Sequence, residues 1–374
     1  YNSLYNNGNL SCFSSTILSF AEIFAMPNFH KLHVKAVEQL TTNAVALSFE
    51  VPSEIQEQFT FTAGQYITLS KAIDGEEVRR SYSISSSPSS GKLTVGIKKI
   101  PNGVFSTYAN DEIAIGDSIE VMPPEGRFVF TLTEASQTVG AFAAGSGITP
   151  IMSIAQTVLE SNTENTFVLV YGNKTPEDTM YLDALKALQE KYEGRFFIQW
   201  VYSRSTAPEA LFGRIERSTV NLILKNRFKA YHFDLFYLCG PEAMIDVVSK
   251  TLQENDIPED QILYELFTSS ETEDTIAQEV EGKTNVVVLL DDEEHELVMD
   301  KKEIVLDAVL QNDIDAPYSC QGGVCSSCIA RVTTGKAEMI KNQILTDGEV
   351  AEGLILTCQA HPLTSFLKVD FDDV

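Results

Sequence analysis

Four cysteines near the C-terminus set the first chemical question. Cys320, Cys325 and Cys328 follow a C-x4-C-x2-C spacing, and Cys358 answers them from a distant point. Three thiolates on one tight loop and a fourth from elsewhere can enclose a [2Fe–2S] cluster, and this spacing is the one such clusters use. Gly322 and Gly323 supply backbone that tolerates positive φ and crowding by sulfur. Two other uses of cysteine compete. Structural zinc sites usually pair two short knuckles, whereas this chain has one knuckle and a lone fourth ligand. Disulfides suit small secreted chains, and this one has 374 residues. His361, close to Cys358, raises the idea of a Rieske centre. Such centres replace two cysteines by two histidines, and all four cysteines are present, so His361 is expected on the surface.

Three further stretches carry chemistry. In Arg79-Arg80-Ser81-Tyr82-Ser83-Ile84-Ser85, alternation places Arg80, Tyr82 and Ile84 on one face. A guanidinium takes a pyrophosphate as a bidentate partner. A tyrosine two residues on can lie flat on an aromatic ring. Ser83 offers a hydroxyl and an N–H at that ring's edge. The set suits a flavin dinucleotide, although an ordinary edge strand would read the same by itself. Gly145-Ser146-Gly147 makes a tight turn after an apolar run. Thr149 is expected to cap the helix that follows, with Pro150 at its first position. A helix N-terminus favours phosphate, but a bare G-x-G is also a plain structural turn. Ser203-Arg204 and Arg214 follow a later strand. An Arg there accommodates a 2′-phosphate where an acidic residue would favour the NAD ribose, which favours NADPH over NADH.

The surrounding patterns must position these residues. From 30 to 130 the periodicity is two, and Asp74-Gly75, Asn102-Gly103 and Pro123-Pro124 punctuate it. Several short strands at regular spacing imply an antiparallel barrel. From 138 the pattern changes. Apolar strands at 139–144, 167–171, 196–202 and 234–239 alternate with helices, which implies a parallel sheet covered on both faces. Ligands then bind beyond the strand C-termini, where Gly145, Ser203 and Cys239-Gly240-Pro241 lie. Residues 268–284 are polar and acidic and read as an extended, mobile linker. A hairpin, a helix at 304–310 and further strands fill the tail. The expected organisation is a leader without a fold over 1–28, with Met26 as the natural start, a barrel over 29–132, an α/β domain over 133–268, a linker over 269–284 and an α+β domain over 285–374.

Net charge is −26, from 53 acidic and 27 basic side chains, which argues against nucleic acid or an anionic membrane as partner. The last 104 residues hold 22 acidic and 7 basic groups, a solvated surface or a docking face for a basic partner. The remaining cysteines, Cys12 and Cys239, make no disulfide framework, which points to a reducing cytoplasm. No apolar run reaches the length of a membrane span.

Residues 285–374 resemble a plant-type ferredoxin, which implies a β-grasp fold. The Arg80 strand resembles the R-x-Y-S flavin motif of the ferredoxin–NADP reductase family, and Gly96-Ile97-Lys98 with Gly103-Val104-Phe105-Ser106 resembles its second flavin motif. The resemblance implies that the Gly103–Ser106 turn approaches the flavin phosphates through backbone N–H groups and a hydroxyl. It also implies that Gly126-Arg127-Phe128 closes the barrel. Gly145-Ser146-Gly147-Ile148-Thr149-Pro150 and Cys239-Gly240-Pro241 resemble the family's paired pyridine-nucleotide motifs, in which the Cys shapes the nicotinamide site and is not a nucleophile. Residues 263–267 resemble its final strand, whose aromatic or acidic end approaches the flavin. The implied cofactors are FAD, NADPH and a [2Fe–2S] cluster, with Tyr82, Ser83 and Cys239 around the reacting rings. The domain order is similar to the reductase components of multicomponent oxygenases, above all the reductase subunits of ring 1,2-phenylacetyl-CoA epoxidases. That implies a diiron oxygenase as acceptor; related reductases serve steroid hydroxylases. A zinc-holding docking module and a stand-alone reductase are the competing readings.

Overall fold

In a computed structural model, residues 29–267 and 282–374 of the protein are described. The expected leader and residues 268–281 of the expected linker lie outside the described residues.

The period-two segments become β1 (His30–Thr41), β2 (Ala44–Glu50), β3 (Tyr66–Ile73), β4 (Glu76–Ser83), β5 (Leu93–Lys98) and β6 (Ser118–Val121), with one short helix, α1 (Val104–Asp111), before β6. The strands pair antiparallel in the order β4-β3-β6-β1-β2-β5. An Ile84–Val95 bridge carries the end of β4 onto β5 and closes the sheet into a barrel. Asp74 and Gly75 both have positive φ, 53° and 90°, as a two-residue hairpin matched to strand twist requires. Alternate residues Leu32, Val34, Val45 and Leu47 fill the interior.

The second unit is β7 (Thr138–Ala144), α2 (Ile148–Ser161), β8 (Thr166–Asn173), α3 (Leu182–Lys191), β9 (Phe196–Tyr202), β10 (Leu211–Phe212), α4 (Arg217–Asn221), β11 (Leu235–Cys239), α5 (Glu242–Gln253) and β12 (Ile262–Glu265). All six strands run parallel in the order β10-β9-β8-β7-β11-β12. Strand order reverses between β7 and β11, so the ligand crevice of such a sheet opens at their C-terminal ends. Phe128 and Phe130 of the barrel share one apolar cluster with β7, β8 and α2, so barrel and sheet are packed together. The helix after Gly147 corrects one expectation. It starts at Ile148, so Thr149 and Pro150 lie inside its first turn, and the Thr149 hydroxyl donates to the Ser146 carbonyl at 3.0 Å instead of capping.

The tail holds β13 (Lys283–Leu290), β14 (Glu293–Asp300), α6 (Val305–Gln311), β15 (Ile329–Thr334), β16 (Ala337–Met339), α7 (Asp347–Ala351), β17 (Leu354–Leu356), β18 (Ala360–Pro362) and β19 (Phe366–Asp370). A mixed sheet in the order β14-β13-β19-β15-β17 packs on α6, the arrangement of a β-grasp fold. β13 takes in Lys283 and Thr284, which the sequence pattern assigns to the linker. His361 is a second correction. It is 3% exposed, because β18 tucks under the residues before α6 and its Nδ1 bonds the Glu303 carbonyl at 2.9 Å. Among the described residues no helix is long and apolar enough to cross a membrane.

Candidate functional site

The cluster loop is shaped before any iron is considered. Gln321 (φ 50°) and Gly323 (φ 71°) both adopt left-handed backbone, and these two positions curl the chain between Cys320 and Cys325. A Cβ at Gly323 would stand 3.0 Å from the Gln359 side chain and would sit on left-handed backbone, which favours glycine there; Gly322 has ordinary φ. Thr357 ties the Cys358 segment to this loop, its N–H and hydroxyl both bonding the Cys328 carbonyl, at 3.0 and 2.9 Å. Cys325, Cys328 and Cys358 are buried and Cys320 is partly exposed; none is in a disulfide. Side-chain hydrogen bonds link Cys320 to Cys325 and Cys358, and Cys328 to Cys358. Thiol hydrogen bonds from Cys325 and Cys358 push Cys320 far below its usual value, and one from Cys358 lowers Cys328. Cys325 and Cys358, the donors, are pushed up. A two-iron cluster needs only a pair of thiolates per iron. The four residues fit the cluster.

The barrel face beside this loop carries the flavin candidates. Ser83 is buried at the end of β4, opposite Tyr66 of β3. Its hydroxyl donates to Glu265 of β12 at 3.2 Å. Glu265 pairs in register with Cys239, and burial pushes its carboxyl up to about 8. Burial, then the nearby Glu265, also raises the Cys239 thiol, so it is no thiolate nucleophile. Sequence reasoning left Glu265 without a role, although the final-strand resemblance marks its neighbourhood. A cavity of about 300 Å³ opens where the three units meet, lined by Tyr66 and Gly126 of the barrel, Glu265 of β12, and Val324, Cys325 and Ser326 of the cluster loop. That is at the lower end of ligand-site volumes and accommodates a flat ring system. Tyr82 and Ser83 are not among its lining residues. Tyr82 packs on Phe105 of α1, with ring centroids 5.7 Å apart, and Arg80 is exposed on its side of the strand. Gly103 immediately precedes α1, and no side chain caps the N–H groups of its first turn, the donors a helix N-terminus offers a phosphate. The Ser106 hydroxyl turns inward instead, bonding the Gly103 carbonyl and the Ile100 N–H at 3.3 Å. These residues fit a flavin dinucleotide, with Ser106 acting through its backbone.

The third cluster sits at the β7–β11 crevice. A Cβ on Gly147 would fall 2.1 Å from the Cys239 carbonyl oxygen, so Gly145-Ser146-Gly147 and Cys239-Gly240-Pro241 abut only because glycine stands there. A Cβ on Gly145 would lie 3.4 Å from the Lys98 ammonium, which leans over the turn from the barrel. Burial, then the neighbouring Lys174, lowers the Lys98 pKa. An ammonium group beside a turn at a helix N-terminus is a donor set that suits a dinucleotide pyrophosphate. Gly96 is equally tight, since a Cβ there would sit 2.7 Å from both Thr149 and Tyr181. Ser203-Arg204 leaves the end of β9, and Arg214 follows two residues after Phe212, which pairs with Tyr202 at that end. Both arginines are exposed. The expected nucleotide residues thus converge at one sheet end.

Three family models match in series: an oxidoreductase FAD-binding domain over 31–130, an oxidoreductase NAD-binding domain over 142–250 and a 2Fe-2S iron-sulfur cluster binding domain over 288–363. One component of the 1,2-phenylacetyl-CoA epoxidase of Escherichia coli (strain K12) is 38% identical over 351 residues, covering 93% of this chain and 99% of its own length. The chain belongs to the ferredoxin reductases that carry their own 2Fe-2S domain. The ferredoxin reductase component of a 3-ketosteroid-9-alpha-monooxygenase from Rhodococcus rhodochrous is 33% identical, over 91% of this reductase and 96% of that one. Phthalate dioxygenase reductase has the same fold, with a TM-score of 0.59 at 22% identity over 92% of this chain and 98% of that one. An intact self-sufficient cytochrome P450 monooxygenase matches with a TM-score of 0.67 at 20% identity, over 91% of this chain; the chain spans 41% of that protein's length. This reductase uses FAD, a nicotinamide dinucleotide and a [2Fe–2S] cluster.

Proposed function

We propose that this reductase draws electrons from NADPH in preference to NADH and delivers them to an oxygenase, with a diiron phenylacetyl-CoA epoxidase as the acceptor, in the cytoplasm. The observation that carries the reading is the end-to-end match to the epoxidase component, together with the three domains matched in series along this chain. Arg204 and Arg214 at the end of the β9–β10 pair support the NADPH preference, since a 2′-phosphate is the group an Arg accommodates there. The free thiol of Cys239 fits a reducing compartment.

When bound, the flavin accepts electrons in pairs and releases them singly to the cluster. The chain's own residues do the rest. Lys98 and the Gly145 turn bind the dinucleotide pyrophosphate. Gly147 lets the Gly145 turn close against the Cys239 strand end, which brings the two nicotinamide segments together. Arg80 and the first turn of α1 hold the flavin phosphates, and Tyr82 and Ser83 orient its ring. Glu265, kept protonated near neutrality by burial, holds a proton beside the Ser83 hydroxyl. Cys320, Cys325, Cys328 and Cys358 hold the cluster, and Cys325 lines the same cavity.

The test is reconstitution. Purified reductase with NADPH or NADH is mixed with candidate oxygenases and coupled turnover is measured. Coupling to phenylacetyl-CoA epoxidase with NADPH is expected; coupling only to another oxygenase would overturn the acceptor. The 33% identity to a ketosteroid monooxygenase reductase makes a steroid hydroxylase the second acceptor to try.

A further inference from the structure

We propose that Tyr66 is the residue that positions the cluster loop against the flavin barrel, so that electrons pass to the cluster in one fixed, docked arrangement. The inference rests on the reading above, that flavin and cluster occupy the Ser83 side of the barrel and the four-cysteine loop.

Tyr66 is 4% exposed, and its backbone pairs with Ser83 across the β3–β4 ladder. Its hydroxyl leaves the barrel and reaches the cluster loop, 2.9 Å from the Ser327 hydroxyl and 3.3 Å from that of Ser326. These two serines fill the gap between Cys325 and Cys328, so one phenol meets both non-ligating positions of the C-x2-C segment. Glu125, bridged to Tyr66 through the backbone, accepts from Ser327 at 3.1 Å and from Tyr66 at 3.4 Å. A buried polar set of this kind is satisfied in one geometry, and each lost partner strands another buried group. Packing of the ring explains an aromatic residue here; its hydroxyl makes its shortest bond, 2.9 Å, to Ser327 of the cluster loop, against 3.4 Å to Glu125 of the barrel.

Neighbouring contacts hold the same register. Ser319, next to Cys320, accepts from Thr68 of β3 at 3.0 Å and meets Ser81 of β4. Arg79 stacks on Tyr318, its guanidinium carbon 4.8 Å from the ring centroid, and reaches Asp315 at 3.5 Å. Val324 enters the apolar cluster that Ile262 and Leu266 build around β12. Tyr66 stands at the middle of this seam, in register with Ser83 and in contact with the segment between two cluster ligands.

The experiment uses the full-length holo-reductase with Tyr66→Phe and Ser327→Ala, after visible spectra establish FAD and cluster content. Deuterium exchange is followed for the peptide covering 318–328. In stopped flow, the cluster-reduction rate is divided by the flavin-reduction rate from the same trace. Both variants should raise exchange about fivefold, the population shift that losing one hydrogen bond of ordinary net strength gives, and should lower the rate ratio several-fold. The double variant should lose less than the two singles summed, because both remove the Tyr66–Ser327 contact. Ser327→Ala should leave flavin reduction at the wild-type rate. If exchange and rate ratio match wild type in Ser327→Ala, the proposal is overturned, even should Tyr66→Phe lose its flavin. Wild-type protein lacking flavin or cluster absorbance would instead overturn the reading beneath it.

Discussion

Replacing Glu265 with glutamine should change how stability depends on pH. Burial raises the Glu265 carboxyl to about 8 in the folded protein, whereas the unfolded chain ionises it near the ordinary value of 4.5. Between those values the folded state holds a proton that the unfolded state has released. The unfolded state then binds fewer protons, so stability falls as pH rises through this window and is lowest, from this group, above about pH 8. The difference of about 3.5 units corresponds to roughly 5 kcal/mol between pH 4.5 and pH 8. Glutamine cannot ionise, and its Oε1 can still accept from Ser83. The variant should therefore match wild type near pH 5 and gain on it steadily, melting higher by about 10 °C at pH 8, at about 2–4 °C per kcal/mol. The assay is thermal melting of both proteins at matched FAD saturation from pH 5 to pH 8, reading the flavin-linked transition. Parallel pH profiles would refute the reasoning, because they would mean that Glu265 is not held protonated by the fold.

Gly147→Ala forces a Cβ against the Cys239 carbonyl, and backbone on both sides cannot give. The variant should lose about 1–3 kcal/mol of stability and bind the nicotinamide dinucleotide more weakly, seen in melting and in KM. Arg204→Ala should raise KM for NADPH about tenfold, the loss of one charge-assisted hydrogen bond, while KM for NADH holds; equal effects on both would remove Arg204 from the choice of nucleotide. Cys325→Ser should abolish the iron–sulfur absorbance while NADPH-to-dye activity persists. Loss of flavin reduction as well would show that the two halves are not separable.

The cluster was legible because three of its ligands lie within nine residues, Cys320 to Cys328, and local spacing survives in sequence. The crevice between β7 and β11 was legible for a related reason. Strand–helix alternation dictates a parallel sheet, and the glycine turns fall at its strand ends. What was not legible depends on contacts between distant segments. Glu265 acquires its raised pKa only when β12 lies beside β11 and under Ser83, 182 residues away in sequence. Thr149 looks like a cap by type, yet the turn at Gly145–Gly147 is already helical in sense and the helix runs on from it. His361 reads as a surface residue until β18 folds beneath Glu303. By type the Ser106 hydroxyl is available to a phosphate; in the fold the Ile100–Gly103 turn closes around it. The seam from Tyr66 to Ser327 joins residues 261 apart and leaves no pattern in either stretch.

The internal circuit is tested most directly by anaerobic mixing of the full-length holo-reductase with NADPH under visible and electron paramagnetic resonance detection. Flavin bleaching first, then cluster bleaching with the appearance of a reduced [2Fe–2S] signal, is the predicted result. Flavin bleaching with a silent four-cysteine loop, or a loop that contains zinc, would contradict it.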